Sequence, residues 1–129
     1  MEAGSRRARV LVVDDDAPNA RTFRRVFRER YEVLTALSGA EALALLERDP
    51  VDAAVVDYSM PGMDGLALLR QIERRSPAVA RLLLTGYGDL PEILEARRTG
   101  LATVLSKPWD RDELELVLEG ALAAGRRGR

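Results

Sequence analysis

The sequence predicts an α/β domain in which one parallel sheet is covered by helices on both faces. Two observations carry this. Short, mostly apolar runs at residues 10–13, 53–56, 81–84 and 103–106 alternate with longer stretches whose apolar residues recur at helical spacing. Such alternation gives parallel strands joined by right-handed helical crossovers, and runs this poor in polar residues suit strands buried on both faces. The second observation is positional: four of the runs end on a polar or charged group, at Asp14-Asp15, Asp57, Thr85 and Lys107. The carboxyl ends of parallel strands are where open α/β sheets bind ligands.

Taken in order, residues 1–8 read as a loose, flexible polar lead-in, and residues 9–124 as one domain. After the first strand, Asp16 or Ala17 followed by Pro18 opens a helix to about Arg30, with Ala20, Phe23 and Phe27 on one face. Residues 31–36 alternate and are less apolar, as an edge strand is. Ser38-Gly39-Ala40-Glu41 has the form of a capping box for the second helix, which Pro50 stops. The third strand ends at Asp57, Pro61-Gly62 and Asp64-Gly65 mark a loop, and Asp64 caps a helix ending near Pro77. The fourth strand runs into Thr85-Gly86; Asp89, Pro91 and Glu92 start a helix that Gly100 terminates. After the fifth strand and Lys107-Pro108, Asp110 caps a last helix carrying Leu114, Val117, Leu118, Ala121 and Leu122, which Gly125 is expected to end, leaving residues 125–129 as a basic tail. With the second strand at an edge, the order is 2-1-3-4-5, a flavodoxin-like doubly wound sheet with five strands and five helices. Its switch point lies between the first and third strands, where the acids meet.

Composition narrows the chemistry. Of 129 residues 47% are hydrophobic and 32% charged, and the formal net charge is −1, a balance with no global pull towards nucleic acid or acidic membrane. No apolar run approaches membrane-spanning length, and the stretch after Arg6, Arg7 and Arg9 is too short for a signal peptide; a cytoplasmic location is expected. The chain has no cysteine and no histidine, which removes thiolate nucleophiles, zinc–thiolate sites, Ser-His-Asp triads and histidine-ligated metals. Of its 20 basic residues 19 are arginine, and Lys107 is the sole lysine. A lysine offers a compact, rotatable point charge where arginine offers a planar fork, so Lys107 is singled out.

Asp14, Asp15 and Asp57 brought together repel one another unless a cation intervenes. The ion suited to carboxylates and water alone is a hard one, Mg²⁺. A carboxylate beside it can act as a nucleophile towards phosphorus, giving an aspartyl phosphate. Lys107 would neutralise phosphoryl oxygens from the other side, and Thr85 would donate a hydroxyl hydrogen bond to the group once formed.

The motifs V-V-D-D-D, V-V-D-Y-S-M-P-G-M-D-G, L-L-L-T-G and L-S-K-P-W, in that order from Val10 onward, resemble those of the receiver domain of two-component response regulators, over nearly the whole chain. The resemblance implies Asp57 as phosphoacceptor, Mg²⁺ held by Asp15, Asp57 and the backbone carbonyl of Ser59 with Asp14 acting through water, Lys107 on the phosphoryl group, Thr85 as its reporter, and a cis bond before Pro108. It implies a histidine kinase or histidine phosphotransfer protein as donor, and a downstream protein target or a missing output domain as recipient of the signal. Direct contact with nucleic acid or membrane is not expected; a monomer or a weak phosphorylation-dependent dimer is. The face formed by helix four, strand five and helix five, near Arg97, Arg98 and Val104, is the implied switching surface. Many members of the family carry an aromatic three residues before the lysine; here that residue is Val104, and Tyr87 is the substitute at hand.

Two other readings start from the same residues. A Mg²⁺-dependent phosphatase with an aspartate nucleophile usually has a second acid two residues further on, where this chain has Ser59. A degenerate receiver acting only as a binding module would not need every acid together with Thr85 and Lys107. The expected activity is therefore self-phosphorylation and self-dephosphorylation rather than turnover of a substrate. The arginines of the first helix read either as a solvated face or as a dock for an acidic surface of the phosphodonor.

Overall fold

Strands and helices alternate strictly through the computed structural model, which describes residues 7–127: β1 (Arg9–Val13), α1 (Ala17–Phe27), β2 (Glu32–Ala36), α2 (Gly39–Arg48), β3 (Ala53–Asp57), α3 (Gly65–Arg75), β4 (Ala80–Thr85), α4 (Pro91–Thr99), β5 (Thr103–Ser106) and α5 (Arg111–Arg127). Every strand pair is parallel and the order is β2-β1-β3-β4-β5, the flavodoxin-like arrangement expected.

Because successive strand residues point to opposite faces, the sheet feeds two separate apolar layers. Leu11, Val13, Ala54, Val56 and Leu83 meet Ala42 and Leu45 of α2, Leu68, Leu69 and Ile72 of α3, and Ile93 and Ala96 of α4. Val10, Val12, Ala53, Val55, Leu82 and Leu84 meet Phe23 and Phe27 of α1 and Leu114, Leu118 and Leu122 of α5. Each large side chain removed from water here contributes roughly 1.5–3 kcal/mol. On the second face Phe23, Phe27 and Trp109 form an aromatic group, with Trp109 centred 5.8 Å from each phenylalanine. This packing ties the loop after β5 to α1.

The helix starts follow the sequence closely. Asp16, Ser38, Asp64 and Asp110 each accept a backbone N–H three residues on, from Asn19, Glu41, Ala67 and Glu113. Glu41 returns its carboxylate to the N–H of Leu37, one residue earlier than a standard capping box. Gly100 ends α4 at φ 80°, a left-handed conformation that costs glycine nothing.

Three boundaries differ from expectation. α1 stops at Phe27 rather than near Arg30, since Phe27 O takes the N–H groups of both Arg30 and Tyr31 and turns the chain into β2. Asp89 does not cap α4; Leu90 is the N-cap, with no side-chain hydrogen bond, and Pro91 supplies the first turn without needing a donor. Gly125 does not end α5, which continues through Arg127, so residues 125–127 are helical rather than tail; an isolated glycine lowers helix stability by only about 1 kcal/mol, too little to break a helix anchored by Leu114, Leu118 and Leu122. Residues 1–6 of the expected lead-in and 128–129 of the expected tail lie outside the described residues. Within the lead-in, Ala8 is already paired, its carbonyl accepting from Glu32 N at 2.9 Å. Among the described residues no helix is long and apolar enough to cross a membrane.

Candidate functional site

Strand register brings the singled-out residues to one end of the sheet. Val13 pairs with Val56, so Asp14 comes level with Asp57, the last residue of β3. Asp57 pairs with Leu84 and Thr85 with Ser106, which sets Thr85 and Lys107 each one step further out. The pairing continues past the strand ends: Tyr58 N donates to Leu84 O at 2.9 Å, Lys107 N to Thr85 O at 2.9 Å, and Asp14 N to Ala36 O at 3.1 Å. The loops leave the sheet in register, and their side chains converge above its edge.

Asp57 is 5% exposed, Asp14 half-buried and Asp15 exposed. Each of the three offers a carboxylate oxygen, and these oxygens lie within 4.8 Å of one another. Lys107 Nζ donates to Asp57 Oδ1 at 2.9 Å, and the Lys107-Pro108 peptide bond is cis as expected. Thr85 is 2% exposed, and its Oγ1 accepts the N–H of Tyr87 at 2.9 Å. Ser59 lies exposed in the loop two residues beyond Asp57.

The electrostatics show what the cluster lacks. The Asp14 carboxyl is raised above its ordinary range, chiefly by burial and then by the charges of Asp57 and Asp15, against a hydrogen bond from Asp16 N and the pull of Lys107. The Lys107 ammonium is raised by its hydrogen bond to Asp57 and by the surrounding acids. One ammonium cannot balance three carboxylates. Oxygens this close approach the spacing around a single octahedral ion, where opposite ligands stand about 4 Å apart. An all-oxygen donor set, buried at Asp57 and open to solvent at Asp15, with like charges already raising one member, fits Mg²⁺.

Two features were not foreseen. Tyr58 Oη donates to Glu92 Oε2 at 2.9 Å, which links the residue after Asp57 to the first turn of α4, and the Tyr58 and Tyr87 rings meet edge to face with centroids 6.5 Å apart. The residues are adjacent to Asp57 and Thr85 in sequence, but no local pattern shows that they meet. Gly65 is the other. A Cβ there would fall 2.5 Å from Asp57 O and 2.9 Å from Tyr58 Cα, so a bare Cα lets α3 start directly against the end of β3. In the sequence it read only as part of an Asp-Gly loop signal. Val104 is half-buried and packs against the α2–α3–α4 layer, and Tyr87 stands 55% exposed.

Comparison with known proteins bears on the same residues. Residues 10–119 match the family model described as the response regulator receiver domain. The chain is 36% identical over 125 residues to the hydrogenase transcriptional regulatory protein HoxA of Cupriavidus necator, covering 95% of this chain and 26% of that protein. It is 37% identical over 116 residues to the transcriptional regulatory protein GlrR of Escherichia coli, covering 89% and 26%. The chain thus spans about a quarter of the length of the curated relatives it matches. Among solved structures, the signal receiver domain of an HD domain-containing protein from Pseudomonas fluorescens superposes with a TM-score of 0.89 at 34% identity, over 100% of this chain and 96% of that one. A CheY-like response regulator receiver domain protein from Methanospirillum hungatei gives 0.88 at 26% identity, over 95% and 99%.

Proposed function

Because the chain belongs to the response regulator receiver domain family, and is thus a receiver domain of two-component signalling, we propose that Asp57 accepts a phosphoryl group from a phosphohistidine on a partner histidine kinase or phosphotransfer protein. The observation that carries this reading is the single lysine held 2.9 Å from a buried aspartate beside two further acids. In the transfer an Asp57 oxygen forms the new P–O bond, the P–N bond to the donor imidazole breaks, and the imidazole leaves with the bonding pair and takes up a proton. Lys107 follows the charge onto the phosphoryl oxygens, an interaction stronger in the transition state than in the free carboxylate. Asp14, Asp15, Asp57 and the Ser59 carbonyl would hold Mg²⁺, which, when bound, neutralises charge on the acids and the phosphoryl group. Hydrolysis of the acyl phosphate resets Asp57, so the domain turns over its own modification and is not an enzyme towards other molecules.

The signal leaves through Thr85. Once a phosphoryl oxygen accepts a hydrogen bond from its hydroxyl, Thr85 moves towards Asp57, and the loop carrying Tyr87, whose N–H donates to the same Oγ1, follows. With Val104 in place of an aromatic, the contact of Tyr87 with Tyr58, and of Tyr58 with Glu92, supplies the link to α4. The face of α4, β5 and α5 then changes its population of conformers. The domain works in the cytoplasm as a monomer or a weak phosphorylation-dependent dimer, without contacting nucleic acid or membrane itself. Its target is a downstream protein or an output domain, as the greater length of the relatives suggests.

The test is intact-protein mass after incubation with a small acyl phosphate, with and without Mg²⁺. A Mg²⁺-dependent gain of one phosphoryl group, absent in Asp57→Asn, is expected. No gain in the wild type would favour a phosphorylation-independent binding module, a gain persisting in Asp57→Asn would put the acceptor elsewhere, and steady turnover of phosphoesters would point to a phosphatase.

A further inference from the structure

A chain without cysteine meets oxidants through its methionines, of which it has three: Met1, Met60 and Met63. With thiols absent, thioether sulfur is the group that mild peroxides convert, to a sulfoxide. Met1 lies outside the described residues. Met60 is 9% exposed and belongs to the apolar layer under α2, α3 and α4. Met63 packs against that same layer but is only half-buried, so solvent reaches its side chain.

Met63 stands in the loop that joins the acceptor strand β3 to α3. Within this loop Met63 N donates to Pro61 O at 3.1 Å, Gly65 N closes it back on Tyr58 O at 3.0 Å, and Gly62 turns at φ 81°. The Met63 side chain reaches out of the loop to Gly39, the first residue of α2. A Cβ on Gly39 would fall 2.7 Å from Met63 Sδ, and 3.2 and 3.3 Å from its Cβ and Cγ. The thioether arm therefore lies along the bare Cα of Gly39. Met60 fixes the middle of the loop in the core, and Met63 lays its far end on α2.

We propose that Met63 is a reversible oxidation site whose sulfoxide slows phosphoryl uptake at Asp57. The oxidant is a hydroperoxide such as hydrogen peroxide. A sulfur lone pair attacks one peroxide oxygen, the S–O bond forms as the O–O bond breaks, and the proton on the attacked oxygen passes to the departing one, which leaves as water. Sulfur gives up two electrons and the peroxide takes them. A methionine sulfoxide reductase reverses the step with two thiols, which become a disulfide while the oxygen leaves as water. The new oxygen is polar and finds no space on the Gly39 side, which the sulfur already fills. Turning it to water carries the apolar arm off α2, and the loop loses that hold. The loop starts at the residue after Asp57 and includes Ser59, so its displacement alters the surroundings of the acceptor, where a misplacement of about 1 Å can cost a hundredfold in rate. This consequence rests on Asp57 as phosphoacceptor. A methionine that only fills space would be replaceable by leucine with no loss of sensitivity to peroxide.

The test treats the full chain with dilute hydrogen peroxide and follows oxygen uptake by peptide mass, together with amide exchange and acyl-phosphate labelling. One oxygen on Met63 ahead of Met60, faster exchange over residues 58–65 and labelling slowed about tenfold are expected, all reversed by methionine sulfoxide reductase with a dithiol. Met63→Leu keeps the apolar bulk, so it should label like the reduced wild type and hold that rate after peroxide, whereas Met60→Leu should stay sensitive. Gly39→Ala, whose Cβ presses on the sulfur, should speed the same exchange and slow labelling with no oxidant present. Oxygen uptake at Met60 first, a Met63 sulfoxide with unaltered exchange and labelling, or full sensitivity in Met63→Leu would each overturn the proposal. A wild type that takes no label before oxidation would fail the acceptor assignment instead, and oxygen uptake and exchange around Met63 would still decide this one.

Discussion

Lys107 Nζ stands 2.9 Å from Asp57 Oδ1, joining two residues fifty apart in the chain. Neither element end would hold this distance alone. β5 delivers Lys107 through its pairing with β4, and β3 delivers Asp57 through its pairing with the same strand. Replacing Lys107 with methionine leaves a buried carboxylate beside two others. Solvent reaches the lysine, so the loss should be about 1–2 kcal/mol, below the 3–5 of a fully buried pair. Acyl-phosphate labelling should slow by about ten- to a hundredfold. The sign of the pH dependence follows from the raised ammonium: the native state holds the proton more tightly, so the stabilisation is complete below the unfolded value of 10.5 and disappears as pH rises through the folded one. Denaturant melts of wild type and Lys107→Met should converge in strong alkali.

Asp14→Asn should melt higher than the wild type in the absence of divalent ions. Burial and the neighbouring acids raise the Asp14 carboxyl, so its charge opposes folding at neutral pH and removing it should add a few degrees to Tm. A raised acid means that the native state binds more protons, and wild-type stability at this group improves as pH falls through the folded value towards 3.8. The advantage of the variant should therefore be greatest near pH 7 and fade towards pH 4. Added Mg²⁺ should raise the wild-type Tm and narrow the difference. Thermal melts in a chelator and in Mg²⁺ check both.

Gly65→Ala should be the most damaging small change near the site. Its Cβ meets the backbone of Asp57 and Tyr58, and backbone cannot rotate away as a side chain can. Overpacking of this kind costs about 1–3 kcal/mol. It would also push the end of β3 away from Lys107, so stability and labelling should fall together. Gly88→Ala, where a Cβ meets nothing within 4 Å, is the control and should change neither.

Tyr58→Phe removes only the hydroxyl that reaches Glu92. The site is solvent-accessible, so stability should change by less than about 0.5 kcal/mol. The first turn of α4, which lacks a side-chain cap, should exchange its amides faster before phosphorylation, and the further change on acyl phosphorylation should shrink. Hydrogen exchange with and without acyl phosphate measures this; an unaltered α4 response would remove Tyr58 from the route between Asp57 and that helix.

Most of the fold was legible because its signals are local. Apolar runs too short for helices, bounded by Asp16, Ser38, Asp64 and Asp110 as caps, mark elements without knowledge of neighbours. The misplaced boundaries have separate causes: Phe27 O takes the N–H groups of Arg30 and Tyr31, Pro91 starts α4 at Leu90 without a side-chain cap, and packing of Leu114, Leu118 and Leu122 carries α5 past Gly125. The site was legible because its residues end strands. Parallel strands in one sheet bring their carboxyl ends to one edge, so Asp14, Asp15, Asp57, Thr85 and Lys107 had to gather once the topology was known.

Element order, strand order and the identity of the acids, the hydroxyl and the lysine at that edge are written in local pattern, since periodicity and caps act over a few residues. Distance and contact come from the folded molecule alone: Lys107 on Asp57, Tyr58 on Glu92 and Tyr87, the closeness of Gly65 to Asp57, and the turning of the α1 arginines towards β2. Lys107 and Asp57, and Tyr58 and its two partners, lie far apart in the chain, and the geometry of all these contacts is set by strand register and by helix rotation against the sheet. Both result from the packing of the two apolar layers as a whole, which no short stretch of residues contains.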